Sequence, residues 1–472
     1  MRRNTDPSAT RVKAISRTAV WRSAAAALCT IAALASARPA DAGQDSAQAA
    51  STTPLAAPKP RPTGRVSVYV DSWSSIPDEG VSRSFRTIIT TATFRAPETE
   101  SDGIDYGVDV RHSGLSGGTR PDRFSLYEGF VGARAADGHL RVRGGHLWLN
   151  DFGSLGSLAG GHVEFRQKDA AQEGIGRLRI GAFGGLEPKI LDTGYYSGVK
   201  KFGVYGALDG AAGRRHSAGY VQVRDQSLTE RSVLTTTNFV PVGRTFFLYQ
   251  AAEYDLAKPA GEASAGLNYF YTNARVNPTA RVELQGTYNR GRSIDTRGLA
   301  DDVLNGRPIS QSAALGLAYE SRGGRVTVEP IARVRVYFGY TQDKSSREDK
   351  PANRTMIGGY APNVGGSGLD IAASDTRTIR SNGNYHSSYV SVGRQVGRRA
   401  YVSGDYTTSL SVIRFSRSDG LVVEDRPSTR RVSGTGSINV GPATSIQITV
   451  DHTWDTDLRE LRILSGLSYR FR

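Results

Sequence analysis

From Arg65 to the C-terminus the chain alternates apolar and polar residues in short runs, separated by Gly, Asp, Asn, Ser and Pro. In residues 325–340 (RVTVEPIARVRVYFGY), Val326, Val328, Ala332, Val334, Val336, Phe338 and Tyr340 share one face, and Arg325, Thr327, Glu329, Arg333, Arg335 and Tyr337 share the other. RVELQGTYN (281–289), SIQITVDHTW (445–454) and HLRVRGG (139–145) repeat the pattern. Alternation with period two is the mark of a strand whose two sides meet different surroundings. A slip of one residue would turn every arginine to the wrong side, so the register of such strands is strongly specified. No amphipathic helical pattern of any length accompanies them. The spacing predicts about twenty strands, including single strands over 216–225, 324–340 and 385–396.

The connections alternate in length. AADG (135–138), GRRH (213–216), PVGR (241–244), VNPT (276–279), SRGG (321–324), VGRR (396–399) and VGPA (440–443) are tight. Between them fall SGLSGGTRPD, LEPKILDTGYYSG, GRSIDTRGLADDVLNGRPI, the stretch 341–384 and FSRSDGLVVEDRPST. Tight turns at one end and long loops at the other are the pattern of an all-β, closed antiparallel transmembrane β-barrel with short periplasmic turns and long external loops. The expected strand number is about 20, within 16–22. A soluble all-β protein is the competing reading, but nothing in that architecture requires one end to hold the longer loops.

Composition supports the barrel. The chain has 472 residues, 38% hydrophobic, with 54 Gly and 21 Tyr, and no run reaches the ~18–20 apolar residues of a spanning helix. In lipid every backbone amide must be paired, so a sheet has to close on itself, and lipid can then cover its apolar face. Half of each strand would face a wet interior, which explains a polar average. Trp73, Trp148, Tyr337, Tyr340, Trp454, Tyr469 and Phe471 lie near strand ends, where interfacial aromatic girdles occur.

The N-terminus reads as an export signal over residues 1–42: a basic segment, the apolar core SAAAALCTIAALASA and the small-x-small site Ala40-Asp41-Ala42. Residues 43–64 form an Ala/Pro/Ser-rich flexible periplasmic leader, and 65–472 the barrel. Cys29, the single cysteine, lies inside the signal, so an exported chain would depend on a large core or a bilayer rather than on disulfides. The net charge is +15, of which the signal segment carries five. The remaining basic residues are scattered, without the basic block of a nucleic-acid-binding tail.

The last strand, LRILSGLSYRFR, alternates and places Leu461, Ile463, Leu467, Tyr469 and Phe471 on one face. Together with the signal and the barrel texture, this resembles Gram-negative outer-membrane β-barrels of the porin type. The resemblance implies a location in the cell outer membrane and contact with its lipid. It also implies passage of small solutes, and recognition of Leu467, Tyr469 and Phe471 by the assembly machinery. Arg472 departs from the family pattern, which ends on the aromatic residue.

With apolar faces toward lipid, the interior would hold Arg141 and Arg143, His162, Glu164 and Arg166, Arg177 and Arg179, Gln222 and Arg224, Arg281 and Glu283, and Glu329, Arg333 and Arg335. Arginine binds carboxylate and phosphate in two-pronged fashion, and rings of basic side chains favour anions in pores. The expected function is a channel for passive or selective diffusion of small, anionic solutes. Alternatively these arginines pair with Glu164, Glu283 and Glu329 and stiffen the wall of a structural or adhesive barrel that binds partners through its external loops. The stretch 341–384 reads as a long external loop, or as a constriction folded into the pore.

Catalytic signals are weak. GLSGG (114–118) matches G-x-S-x-G without the strand–turn–helix context that motif needs. His216 and His452 stand without an evident base and orienter. Zinc signatures, phosphate-cradling loops and nucleotide fingerprints are missing, so the sequence points to no enzyme, metal or cofactor.

Overall fold

A computed structural model describes residues 61–77, 81–97, 102–116, 122–167, 176–189, 193–257, 266–310, 312–313, 316–416, 422–455 and 457–471. The expected signal segment and nearly all of the leader lie outside them.

The described chain is a single sheet closed on itself. Its first strands are β1 (Thr63–Pro77), β2 (Arg83–Arg95), β3 (Gly103–Ser116), β4 (Arg123–Ala135), β5 (Leu140–Trp148), β6 (Ser157–Arg166), β7 (Arg177–Pro188) and β8 (Tyr195–Asp209). Then come β9 (Arg215–Asp225), β10 (Leu228–Val242), β11 (Phe246–Ala257), β12 (Gly266–Thr279), β13 (Val282–Ser293), β14 (Leu317–Ile331), β15 (Val334–Ser345) and β16 (Ala352–Ala361). The last are β17 (Leu369–Arg380), β18 (Gly383–Val396), β19 (Ala400–Ser416), β20 (Val422–Asp425), β21 (Ser428–Asn439), β22 (Thr444–Trp454) and β23 (Leu458–Phe471). A helix, α1 (Thr296–Leu304), lies between β13 and β14, and a 3-10 segment, Asn150–Gly156, between β5 and β6.

The 23 segments make 22 barrel strands, because β20 and β21 run along the same partner. Ile413 pairs with Asp425 and Leu410 with Ser428, in one unbroken register. The interruption is Pro427, whose carbonyl accepts from Ser411 N at 3.0 Å but which has no N–H to return. Twenty-two strands is the upper edge of the expected range.

Closure is made by β23 against β1, from Gly64 opposite Phe471 to Pro77 opposite Leu458. Val66 and Val68 face outward with Tyr469 and Leu467. On the inward side Ser67 Oγ and Ser468 Oγ are 2.9 Å apart, Arg65 Nε donates to Ser468 Oγ at 2.7 Å, and Arg462 Nη2 donates to Asp71 Oδ2 at 2.7 Å. The seam is thus apolar outside and hydrogen-bonded inside.

Along the middle of the barrel the outward faces are largely apolar. Val326 lies beside Phe338 and Val328 beside Val336, all exposed. The expected single strand 324–340 is instead a hairpin, β14 and β15, turning at 332–333. Val328 pairs with Val336, so outward residues are even-numbered on both sides of the turn, and the alternation runs through the reversal unchanged. Arg333 sits in that turn at φ 72° and lines no wall.

The stretch 341–384 is likewise not one long loop: it holds the end of β15, all of β16 and β17, and the start of β18. The alternation of connection lengths holds only in part. At the end of the barrel carrying Thr63 and Phe471 (the terminal end), two connections, 280–281 and 332–333, are two residues long, but 167–176 is longer. At the opposite, far end lie the longest connection, 294–316, and two tight turns, 226–227 and 381–382.

Candidate functional site: an arginine-rich constriction

The inside of the barrel is not uniformly polar. The 3-10 segment between β5 and β6 folds inward and lays Leu149, Phe152 and Leu155 on Leu147, Leu158, Phe183, Tyr205, Ala207, Val221 and Val233 of the inner wall. The Phe152 ring meets those of Phe183 and Tyr205 edge-on at 5.1 and 5.3 Å. Burying each such side chain is worth ~1.5–3 kcal/mol. Gly219 makes the approach possible, since a Cβ there would stand 2.6 Å from the Phe152 ring.

This cluster overturns the expected facing of β9. Val221 and Val223 are buried, at 0% and 3% exposure, and point inward with Val233. Gln222 and Arg224 therefore point outward, opposite Phe202 and Lys200. Sequence alternation finds two faces but cannot tell a lipid-facing valine from one covered by a loop folded in from the same barrel.

Beside the cluster the wall is charged. Asp151, on the inward segment, accepts from Arg215 Nη2 at 2.8 Å and from Arg179 Nη2 at 3.3 Å. Arg179 also donates through Nη1 to Glu164 Oε2 at 2.8 Å and through Nε to Asp209 Oδ2 at 2.6 Å. Arg166 Nε donates to Glu164 Oε1 at 2.5 Å, the Tyr205 hydroxyl donates to Glu164 Oε2, and His162 Nε2 is 2.9 Å from that hydroxyl. Arg141 Nε and Arg143 Nε both donate to Asp105 Oδ2 at 2.6 Å. Arg143 also lies over the Phe130 ring, 4.5 Å from its centre. Arg95 Nη2 reaches Glu128 Oε2 at 2.5 Å.

These groups surround a cavity of about 540 Å³. Eight arginines (61, 95, 134, 141, 143, 166, 179 and 215) line it against four carboxylates (Asp105, Glu128, Asp151 and Glu164). Asp209, just beyond this lining, also pairs with Arg179 and Arg215, so eight arginines meet five carboxylates and the excess is three positive charges. The buried guanidinium of Arg179, 6% exposed, is a brace of the wall; Arg95, Arg166 and Arg215, at 57%, 41% and 39%, can meet a solute.

Of the residues singled out by sequence, Arg141, Arg143, Glu164, Arg166 and Arg179 gather here, and Arg177 lies on the same inward face of β7, opposite Asp209. Glu283, Glu329 and Arg335 belong to a second cavity at the terminal end, about 740 Å³, which Arg244, Arg281 and Arg325 also line. There Arg325 Nη2 reaches Glu283 Oε1 at 3.4 Å, Arg335 Nε lies 3.6 Å from Glu329 Oε2, and Glu329 Oε1 accepts from Arg333 N at 2.8 Å. Arg224 and Arg333 join neither. Asp105, Glu128, Asp151 and Arg215 escaped the sequence reading: Asp151 sits on a loop with no alternation, and the others matter through partners on distant strands. Of the aromatic residues expected at the interfaces, Trp73 and Tyr337 face inward, paired with Arg462 and Thr327.

A second brace is α1. The Asp295 side chain caps its first turn by accepting from Gly298 N, and Arg297 donates to Glu230 Oε2 at 2.8 Å and Glu187 Oε2 at 2.9 Å. Burial alone would favour loss of the Arg297 proton, but the Glu230 and Glu187 carboxylates outweigh it and raise its pKa. Gly114–Ser116, the described part of the G-x-S-x-G match, is the end of β3; the rest lies outside the described residues. Among the described residues no group of three or more His, Cys, Asp or Glu side chains is placed to hold a metal ion.

No protein-family model matches the chain, and no curated protein matches it either. Among solved structures it is similar to OccAB4 of Acinetobacter baumannii (8% identity over 87% of this chain and 98% of that one, TM-score 0.41). It is also similar to the translocation pore of the P pilus usher PapC (10% identity, 86% and 100%, 0.46) and to OccK8 (OprE) of Pseudomonas aeruginosa (8%, 87% and 98%, 0.41). At identities this low, what the chain does has to be argued from its own geometry: a closed antiparallel barrel of 22 strands, narrowed by an inward loop beside a surplus of arginines.

Proposed function

We propose that this barrel resides in the Gram-negative outer membrane and passes small solutes, with a preference for anions, past its arginine-rich constriction. The observation that carries the reading is the excess of three positive charges around the cavity beside the inward segment, after Asp209 is counted with the lining carboxylates. The apolar outward belt supports the membrane placement: exposed Val326, Phe338, Ile357, Val390, Val402 and Ile448 would be costly in water and are at home against acyl chains. The terminal end would face the periplasm, with assembly machinery recognising Leu467, Tyr469 and Phe471 on the closing strand.

The mechanism needs no catalysis. An anion entering the constriction exchanges part of its hydration shell for the half-exposed guanidiniums of Arg95, Arg166 and Arg215. A cation there meets uncompensated positive charge in a setting where water screens less than in bulk. Arg141, Arg143 and Arg179 hold the wall in place through Asp105, Glu164 and Asp209.

Single-channel recording in planar bilayers tests this. Discrete conductance steps with a reversal potential shifted toward the anion equilibrium potential are expected in a salt gradient. Cation selectivity would overturn the anion preference. Folded protein that inserts but carries no current would favour a structural barrel with a closed interior.

A further inference from the structure

The two ends of the barrel differ in charge on their outward faces. Near the terminal end the outward residues include Leu208, Val242, Phe246 and Val276, opposite His216, Phe246, Val242 and Phe246 on neighbouring strands. Toward the far end the same faces carry Lys200, Arg224, Arg290, Arg322, Lys344 and Arg377, all exposed. Carboxylates on this band are fewer. Glu320 pairs across strands with Arg290 and Lys344, and Asp375 accepts from Ser388 Oγ and lies 2.7 Å from His386 Nε2.

Lys200 and Arg224 stand directly opposite one another on β8 and β9, and like charges so placed destabilise a sheet. Their other cross-strand neighbours are Leu186 and Thr229, which offer no negative charge. An anion from outside the barrel would convert this repulsion into a two-pronged contact. Immediately beyond them on the same outward face lie Phe202 and Val204, both exposed. A ligand fitting both features carries a negative head at the rim and apolar chains along the wall. An acidic protein segment would satisfy the charge but not the continuous apolar strip below it.

We infer that this basic outer rim binds phosphate-bearing lipid headgroups, with Lys200 and Arg224 forming one headgroup site and the acyl chains lying on Phe202 and Val204. The inference rests on the membrane-spanning reading, and it assigns the far end to whichever leaflet is richer in phosphorylated lipid.

The test uses the full folded chain reconstituted into phosphatidylcholine vesicles, with and without diphosphoryl lipid A. Flotation with the vesicles reports insertion. Loss of the heat-resistant band on a denaturing gel reports the unfolding midpoint. Lipid A should raise the midpoint by several degrees, and K200Q/R224Q should lose at least half of that rise while being no less stable in phosphatidylcholine alone. The Arg224→Lys variant, which keeps the charge, should retain most of the rise. If the double variant does not fold, the single variants Arg290→Gln and Arg377→Gln are read the same way. An equal midpoint with and without lipid A, a rise that survives in the glutamine variants, or the same rise from inorganic phosphate would each overturn the inference. Failure to float with either vesicle would instead refute the membrane reading on which it rests.

Discussion

Asp151 accepts a hydrogen bond from Arg215 at 2.8 Å across 64 residues of sequence, and so ties the segment between β5 and β6 to the inner wall at β9, three strands beyond β6. The contact converts a connection that would otherwise cap the barrel into part of its bore. Apolar burial of Phe152 supplies most of the attraction, and the Asp151 carboxylate sets where the segment stops.

Removing that carboxylate should open the constriction. Asp151→Ala leaves the half-exposed Arg215 short of a partner, while Arg179 keeps Glu164 and Asp209, so the cost is that of a charge-assisted hydrogen bond, ~1.5–3 kcal/mol. The loss is expected to fall on the inward segment rather than on the barrel. Single-channel conductance should rise, while the heat-resistant form on gels persists.

Phe152→Ala should act in the same direction by another route. Truncating a buried aromatic costs ~3–5 kcal/mol, and here it also uncovers Val221, Val233 and Leu158 to the interior. Proteolysis within residues 149–156 of the detergent-folded protein should become faster, with barrel strands still protected.

Arg333 and Arg335 should separate in effect. Arg333 holds a left-handed turn conformation that costs a non-glycine residue ~1–2 kcal/mol, so Arg333→Gly should raise the unfolding temperature slightly and leave ion selectivity unchanged. Arg335→Ala removes an exposed inward charge from the second cavity and should lower anion preference in reversal-potential measurements.

Gly160 and Gly185 face each other at the inner wall between β6 and β7. A Cβ on Gly160 would stand 2.1 Å from the Gly184 carbonyl oxygen and 2.5 Å from Gly185 Cα. Gly160→Val should therefore prevent pairing of these strands, seen as loss of the heat-resistant band, whereas valine at Gly286, where a Cβ meets nothing within 4 Å, should be tolerated.

At Pro427 the ladder between β19 and β21 lacks one donor. Pro427→Thr restores an N–H opposite the Ser411 carbonyl, and a hydrogen bond of this kind is worth ~0.5–1.5 kcal/mol net. Amide exchange around 409–413 and 425–429 should slow in the variant.

Much of this was legible in the residues themselves. Period-two alternation identified most of the strands and their two faces, because a strand whose two sides meet different surroundings must alternate, though it did not identify β16 and β17 within 341–384. It placed Leu467, Tyr469 and Phe471 together on the outer side of the closing strand, and it turned Arg141, Arg143, Glu164, Arg166, Arg179, Glu283, Glu329 and Arg335 inward. What alternation could not register is a reversal that preserves parity, as at 332–333, where β14 and β15 read as one strand. Nor could it register the facing of β9, where valines are buried by a loop rather than by lipid.

The sequence by itself, then, determined an all-β chain of alternating strands with arginines on one face, since that pattern depends only on the pleat and on which side each residue takes. The tertiary structure decided the rest. The count of 22 strands, the inward turn of Phe152 and the choice of Asp105, Glu128, Asp151 and Asp209 as arginine partners all depend on contacts between residues far apart in the chain. So does the pairing of Lys200 with Arg224 on the outer wall. Such contacts are set by strand register and closure, which only the closed barrel brings about.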